Sequence, residues 1–366
     1  MGSVFHSIKE IVSFITATFT LILLFILLGY MVYSLLYIVP YMGNEKFLIP
    51  IYVAIPFPIL LFFLDGIMAY IWYTFLASAV AVSSTLIILY GVIPYLKEFL
   101  KNPFSYKHNA FQDLGEMFAL NIFFSMLIVF ILSLIGYKPQ TPGIGEMPLW
   151  VQMMQLLHAS VYEEIITRTL FLGLPVFLIY TFQGEKISPL RVFGGLGKIT
   201  PVETVFILIS ASIFAVAHVP AWNVWKIAPT FVGGLLLGYL YIKYGIHASI
   251  LLHFFTDFLS IPMSLSPQLQ LAFGILIIYF AIVGLVFFIS FSIRAFNYIT
   301  HKKPKVIEKR EEREELKSWI ELSCPHCGGR VFQYVDENTL RCVTCGTIIK
   351  LEKETINEEK GKLELP

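Results

Sequence analysis

Apolar stretches of about twenty residues recur along this chain from Ile11 to Phe291. Each is long enough to cross the hydrocarbon core of a bilayer as a helix. In lipid, a backbone must satisfy its own polar groups, which leaves helices and closed barrels as spanning structures. Runs of this length select helices. The chain is 57% hydrophobic and only 14% charged, against about 25% charged in soluble domains. A formal net charge of +1 offers no field for steering a nucleic acid, and none is expected as a partner. Membrane lipid is the expected surrounding.

The first run, 11–39, is too long for a signal-peptide core and has no small-residue cleavage pattern after it. It reads as a retained helix. Residues 47–95 are almost continuously apolar, with Asp65-Gly66 as the turn signal, and the length predicts two helices there, with one long bent helix plus an interfacial segment as the alternative. Further spans are predicted at about 117–136, 150–180, 203–219, 229–243, 247–262 and 270–293, for eight or nine in all. Lys97, Lys101 and Lys107 fall in one connection, Lys186, Arg191 and Lys198 in another, and Arg294, Lys302, Lys303 and Lys305 in the tail. By this count all three lie on one side of the membrane. The positive-inside rule makes that side, and the C-terminus, cytoplasmic. The side of the N-terminus depends on how 47–95 divides. The expectation is an integral cell-membrane protein: an all-α membrane domain over 1–300, a charged linker over 301–322, a small β module over 323–350 and a polar tail over 351–366.

Within this apolar chain, "VYEEIITRTLF" (161–171) carries Glu163, Glu164 and Arg168. An ionised side chain at mid-bilayer costs roughly 2.5–3.5 kcal/mol on insertion scales, so the three face protein or a wet cavity. At about 100° per residue, Glu164 and Arg168 share one helix face and can pair. Glu163 lies about 140° around from Arg168, with no partner in its own helix. A carboxyl buried without a counter-charge holds its proton more tightly, which suits a proton acceptor working near neutral pH. A structural ion-pair cluster would place the same residues there. Two later segments add to the constellation: "FAVAH" (214–218) sets His218 one turn after Phe214, and "HFFTD" (253–257) sets Asp257 one turn after His253. His158 receives no role. Glu163, His218, His253 and Asp257 could activate water and hold an oxyanion, ligate a zinc ion, or relay protons in a transporter. The metal alternative has no H-E-x-x-H signature behind it.

The segments "EEIITR", "FAVAH" and "HFFTD" match in order the E-E-x-x-x-R, F-x-x-x-H and H-x-x-x-[ND] motifs of the CPBP intramembrane proteases. These are relatives of the type II CAAX prenyl endopeptidase, and the chain resembles them over about 150–262. The resemblance implies a helical membrane hydrolase with a catalytic chamber that accepts a peptide or protein substrate, prenylated in some members. It implies that Glu163 and His218 activate water, that His253 and Asp257 form the oxyanion site, and that Glu164 and Arg168 support them. A metal-independent reaction is the favoured form. Asp257 stands where the prenyl-protein proteases have asparagine, so oxyanion binding there requires a proton on Asp257. Other members of the family act as scaffolds or bacteriocin-immunity proteins, which is the alternative function.

All four cysteines lie in "CPHCGG" and "CVTCG" near the C-terminus. Two C-x₂-C turns with 14 residues between them are the spacing of a structural zinc site, with Cys324, Cys327, Cys342 and Cys345 as ligands. Between them "RVFQYV" alternates like a strand and "TLRC" returns, which predicts a zinc-ribbon hairpin.

Overall fold

A computed structural model of the chain describes residues 2–45, 47–55, 57–101, 109–300, 324–327, 332–336 and 339–350. The expected linker at 301–322 and tail at 351–366 lie outside the described residues. The chain divides into two compact units, 1–292 and 293–366. The first is a bundle of helices, and among the described residues eight segments have the length and apolar character to cross a membrane.

Helix α1 (Gly2–Ile38) leads into a hairpin of β1 (Leu48–Ile55) and β2 (Phe57–Asp65). Helix α2 (Gly66–Ile87) continues through a π-helical turn at Ile88–Val92 into α3 (Ile93–Lys101). Helix α4 (Ala110–Leu134) starts at Asn109, whose side-chain oxygen accepts from the amides of Phe111 and Gln112. Helix α5 (Leu149–Glu164) runs through a π-helical segment, Ile165–Gly173, into α6 (Leu174–Phe182), and the three make one long span. Then come α7 (Pro201–Ala217), the short α8 (Val219–Trp222), α9 (Ile227–Tyr244), α10 (Ile246–Phe258), α11 (Ser260–Leu265) and α12 (Pro267–Thr300).

Residues 47–65 correct the sequence reading. They form an antiparallel hairpin rather than a transmembrane helix, with Leu48 opposite Asp65 and a register shift between Ile51 and Tyr52. The physical reason is visible in the composition. Pro50, Pro56 and Pro58 fall within nine residues. Each removes a backbone donor and disfavours the helical conformation of the residue before it. Ile49, Ile51, Val53 and Ile55 are β-branched and suit a strand. The helix begins after the last of these prolines, at Gly66, with Asp65 in extended conformation as its N-cap residue.

Two further charged residues of the membrane unit sit near helix ends. Glu203 closes a capping box with Thr200 at the start of α7. Lys243, at the end of α9, pairs with Asp113 at 2.5 Å near the start of α4. The core is aliphatic and aromatic, with Phe118, Phe254, Phe255, Phe258 and Phe280 fully or almost fully buried between α4, α10 and α12.

In the second unit, β3 (Phe332–Asp336), β4 (Thr339–Cys342) and β5 (Ile348–Lys350) form one antiparallel sheet in that order. The third strand adds to the expected hairpin.

Candidate active site and metal site

Three helices each present a face marked by a four-residue step. On the α5 span the step is Glu164–Arg168; on α7 it is Ser210–Phe214–His218; on α10 it is Ser249–His253–Asp257. Residues four apart lie one above the other on a helix, and the bundle turns these three faces toward one another.

Arg168 and Glu164 are fully buried, with Nε 3.2 Å from Oε2. Taking such a pair out of water is costly unless further hydrogen bonds satisfy the remaining groups. Here they do. Arg168 Nη1 donates to Ser210 Oγ at 2.6 Å, and its guanidinium lies 5.0 Å above the centre of the Phe214 ring. Glu164 also accepts from the Ser249 hydroxyl and lies 3.1 Å from His253 Nδ1. An ionised carboxylate only accepts, so this contact places the proton on His253 Nδ1 and sets the ring's orientation.

Glu163 points elsewhere. Its Oε2 lies 3.7 Å from His218 Nε2 and 3.9 Å from His253 Nε2, and Asp257 Oδ2 lies 3.3 Å from that same His253 nitrogen. His218 Nδ1 lies 2.8 Å from the carbonyl oxygen of Phe214. A carbonyl only accepts, so in neutral His218 the Nε2 lone pair faces Glu163. The Phe214 ring meets both imidazoles edge-on, at 4.8 Å and 5.6 Å between centres, and holds them apart. The structure therefore brings Glu163, His218, His253 and Asp257 into one cluster, with Glu164 and Arg168 directly behind it.

Tyr52 enters this cluster from the hairpin, 111 residues away in sequence: its hydroxyl donates to Glu163 Oε1 at 3.0 Å. Burial, followed by the charge of Glu163, pushes the Tyr52 phenol far above its ordinary range, so it remains a donor. Its own carbonyl accepts from the Tyr162 hydroxyl at 2.9 Å, which ties β1 to the helix carrying the glutamates. Glu163 Oε2 accepts no hydrogen bond from another described residue. His158 is buried one turn before Tyr162, where its Nδ1 faces the Trp72 indole at 3.3 Å.

The cluster forms one wall of a cavity of about 670 Å³, whose other walls include Ile49, Met154, Ile166 and Trp222. A smaller cavity of about 90 Å³ shares His218, His253, Thr256 and Asp257 and adds the polar side chains of Asn121, Ser125 and Thr230. It has the lining of a space that holds water.

Residues 145–259 match the family model described as type II CAAX prenyl endopeptidase Rce1-like. The match contains all six charged and imidazole residues of the cluster. It starts after the hairpin, so Tyr52 lies outside the Rce1-like segment. No curated protein and no solved structure matches the chain.

Sequence reasoning missed Tyr52, Ser210 and Ser249. The two serines carried a signal, since each lies one turn before a singled-out aromatic or histidine on the same face. Tyr52 carried none, because only the hairpin's return brings it to Glu163.

In the second unit, Cys324, Cys327, Cys342 and Cys345 put their sulfurs within 4.8 Å of one another. The Cys324–Cys345 and Cys327–Cys342 pairs are each 3.6 Å apart. Four thiolates on a tetrahedral zinc ion at about 2.3 Å stand about 3.8 Å apart, so the set fits that ion. Hydrogen bonds, first from the Thr347 side chain, hold the Cys345 thiol down at about 6, and backbone donors lower Cys342. Both shifts favour the thiolate that zinc requires.

Proposed function

We propose that this protein is an intramembrane endopeptidase that hydrolyses a peptide bond of a membrane-associated polypeptide, prenylated or not. The reading is carried by one observation: a glutamate oxygen with no donor among the described residues lies within 4 Å of two histidine nitrogens at the wall of a large, mostly apolar cavity.

In this reading Glu163 and His218 take a proton from water as its oxygen bonds to the carbonyl carbon. The developing oxyanion is met by His253 Nε2 and by Asp257. One of the two must bring a proton, since a bare carboxylate repels an oxyanion. The C–N bond then breaks as the first proton passes from the Glu163–His218 pair to the leaving nitrogen. Glu164, neutralised by Arg168, acts through His253 by orienting the ring. A metal-independent reaction is supported by the engagement of both His253 nitrogens with carboxylates, which leaves Glu163 and His218 as the open donors. The cavity volume admits a few extended residues or a lipid chain rather than a folded domain. In the second unit, the four thiolates hold a structural zinc ion.

The test is cleavage of a quenched farnesylated peptide by the purified full chain beside Glu163→Gln. General-base catalysis contributes about 10²- to 10⁴-fold, and a loss of that size in the variant with unchanged thermal unfolding is expected. Equal turnover by the two proteins would sink the glutamate assignment. Failure of both to cleave any membrane-anchored peptide, with the fold intact, would favour a non-catalytic scaffold.

A further inference from the structure

The bundle has two distinguishable ends, and contacts between elements show which connections share each. At one end, Tyr41 stacks on Trp150 with ring centres 5.1 Å apart, joining the region after α1 to the start of α5. Trp225 Nε1 donates to the Gln140 carbonyl at 2.8 Å, joining the α8–α9 turn to the α4–α5 connection. The Ser264 hydroxyl donates to Gln152 at 3.1 Å, bringing α11 to the same place. At the other end, Phe14 stacks on Phe99 of α3 at 4.5 Å, and Asn109, before α4, donates to the Gly91 carbonyl at 3.1 Å. Lys243 reaches Asp113 there, and the Gly195 amide donates to the Tyr241 carbonyl at 3.0 Å, adding the connection that follows α6.

The cavity belongs to the first end alone. Its rim includes Ile49, Gly145, Trp222, Lys226 and Ser264, and no residue of α3 or of the α6–α7 connection lines it. The basic residues belong to the second end. Among the described residues between Tyr41 and Ser266, that end carries Lys97, Lys101, Lys186, Arg191, Lys198 and Lys243. The cavity end carries Lys138 and Lys226, and Arg168 is buried mid-span. Lysine and arginine in short connections accumulate on the cytoplasmic side of a membrane protein.

We infer that the cavity opens on the side of the membrane away from the cytoplasm, and that its substrates are polypeptides anchored in that outer leaflet. The substrate part rests on the endopeptidase reading; the sidedness does not. The hairpin at the rim supports an anchored substrate over a freely soluble one. Ile59, Leu60, Leu61, Phe62 and Phe63 are all about half exposed, on both faces of β2, beside the strand that lines the cavity. That is a surface for lipid tails, and an anchored polypeptide reaches the rim along it. A lipidated tail held on the cytoplasmic leaflet would instead meet the basic end, where the cavity has no opening.

The experiment is labelling with a membrane-impermeant maleimide on intact spheroplasts expressing the full chain, with the labelled position read by mass spectrometry. Thr141→Cys and Gly145→Cys place a thiol at the cavity end, and no neighbour crowds a side chain added at Gly145. Ser188→Cys places one on the exposed loop of the basic end. The expected result is labelling of the first two from outside, and of Ser188→Cys only after permeabilisation. Labelling of Ser188→Cys from outside overturns the inference. So does labelling of Thr141→Cys and Gly145→Cys only after permeabilisation. Labelling needs no turnover, so failure of the sidedness and failure of the peptidase reading are told apart.

Discussion

Glu163 and Glu164 are neighbours in the chain with opposite surroundings. Glu164 is enclosed by Arg168, Ser249 and His253, whereas Glu163 has Tyr52 on one oxygen and the two imidazoles facing the other. Replacing Arg168 by methionine leaves Glu164 a buried charge without compensation, an expected loss of about 3–5 kcal/mol in stability. The double change Glu164→Gln with Arg168→Met removes both charges and recovers part of that loss. Thermal unfolding in detergent reads the difference, and equal destabilisation by the single and double variants would show that the pair is not coupled. Tyr52→Phe deletes one hydrogen bond to Glu163 while keeping the ring. At about 0.5–1.5 kcal/mol for such a bond, kcat falls about 2- to 13-fold with KM little changed. An unchanged kcat would mean that the bond does not position the carboxylate.

Helix periodicity made most of the site legible before any tertiary structure was known. A four-residue step is a geometric statement, so Glu164 with Arg168 and His253 with Asp257 follow from the α-helix alone. The hairpin was not legible in the same way. Hydropathy registers residues 47–65 as apolar, and an apolar run is read as a span unless its prolines are weighed as breakers. The π-helical segment after Glu164 is likewise a departure from regular pitch that no residue there announces. Close packing of α7 on α9 has a clearer sequence cause. A side chain at Gly234 would meet Ala211 Cα at 2.9 Å, and one at Gly238 would meet Ile207 at 3.0 Å. Gly234→Leu therefore pushes the helix bearing His218 outward. The expected cost is about 1–3 kcal/mol of stability, with a fall in turnover larger than that loss explains. Wild-type unfolding temperature and turnover in this variant would show that the two helices have room to spare.

For the molecule as a whole, the two units rely on different physics. The membrane unit is held by helix packing in an apolar solvent, whereas so small a sheet as the C-terminal one would draw much of its folding free energy from the zinc ion proposed for its four cysteines. The purified full chain is expected to contain about one zinc ion per chain by atomic spectroscopy. Cys342→Ser should lower that content at least tenfold. Retention of full zinc content by this variant would reject the four-thiolate site.

The sequence by itself determined the membrane-spanning class, because spans are set by local hydropathy against the thickness of a bilayer. It also determined which residues could share a helix face, and the four-cysteine spacing of the ribbon. These are properties of short segments, where the chain's own geometry relates the residues. Tertiary structure decided what no local rule reaches: that three marked helix faces converge, that the hairpin delivers Tyr52 to Glu163, and that the cavity opens at one end of the bundle. Those relations join residues tens to more than a hundred positions apart, and only the packing of one element against another brings them within bonding distance.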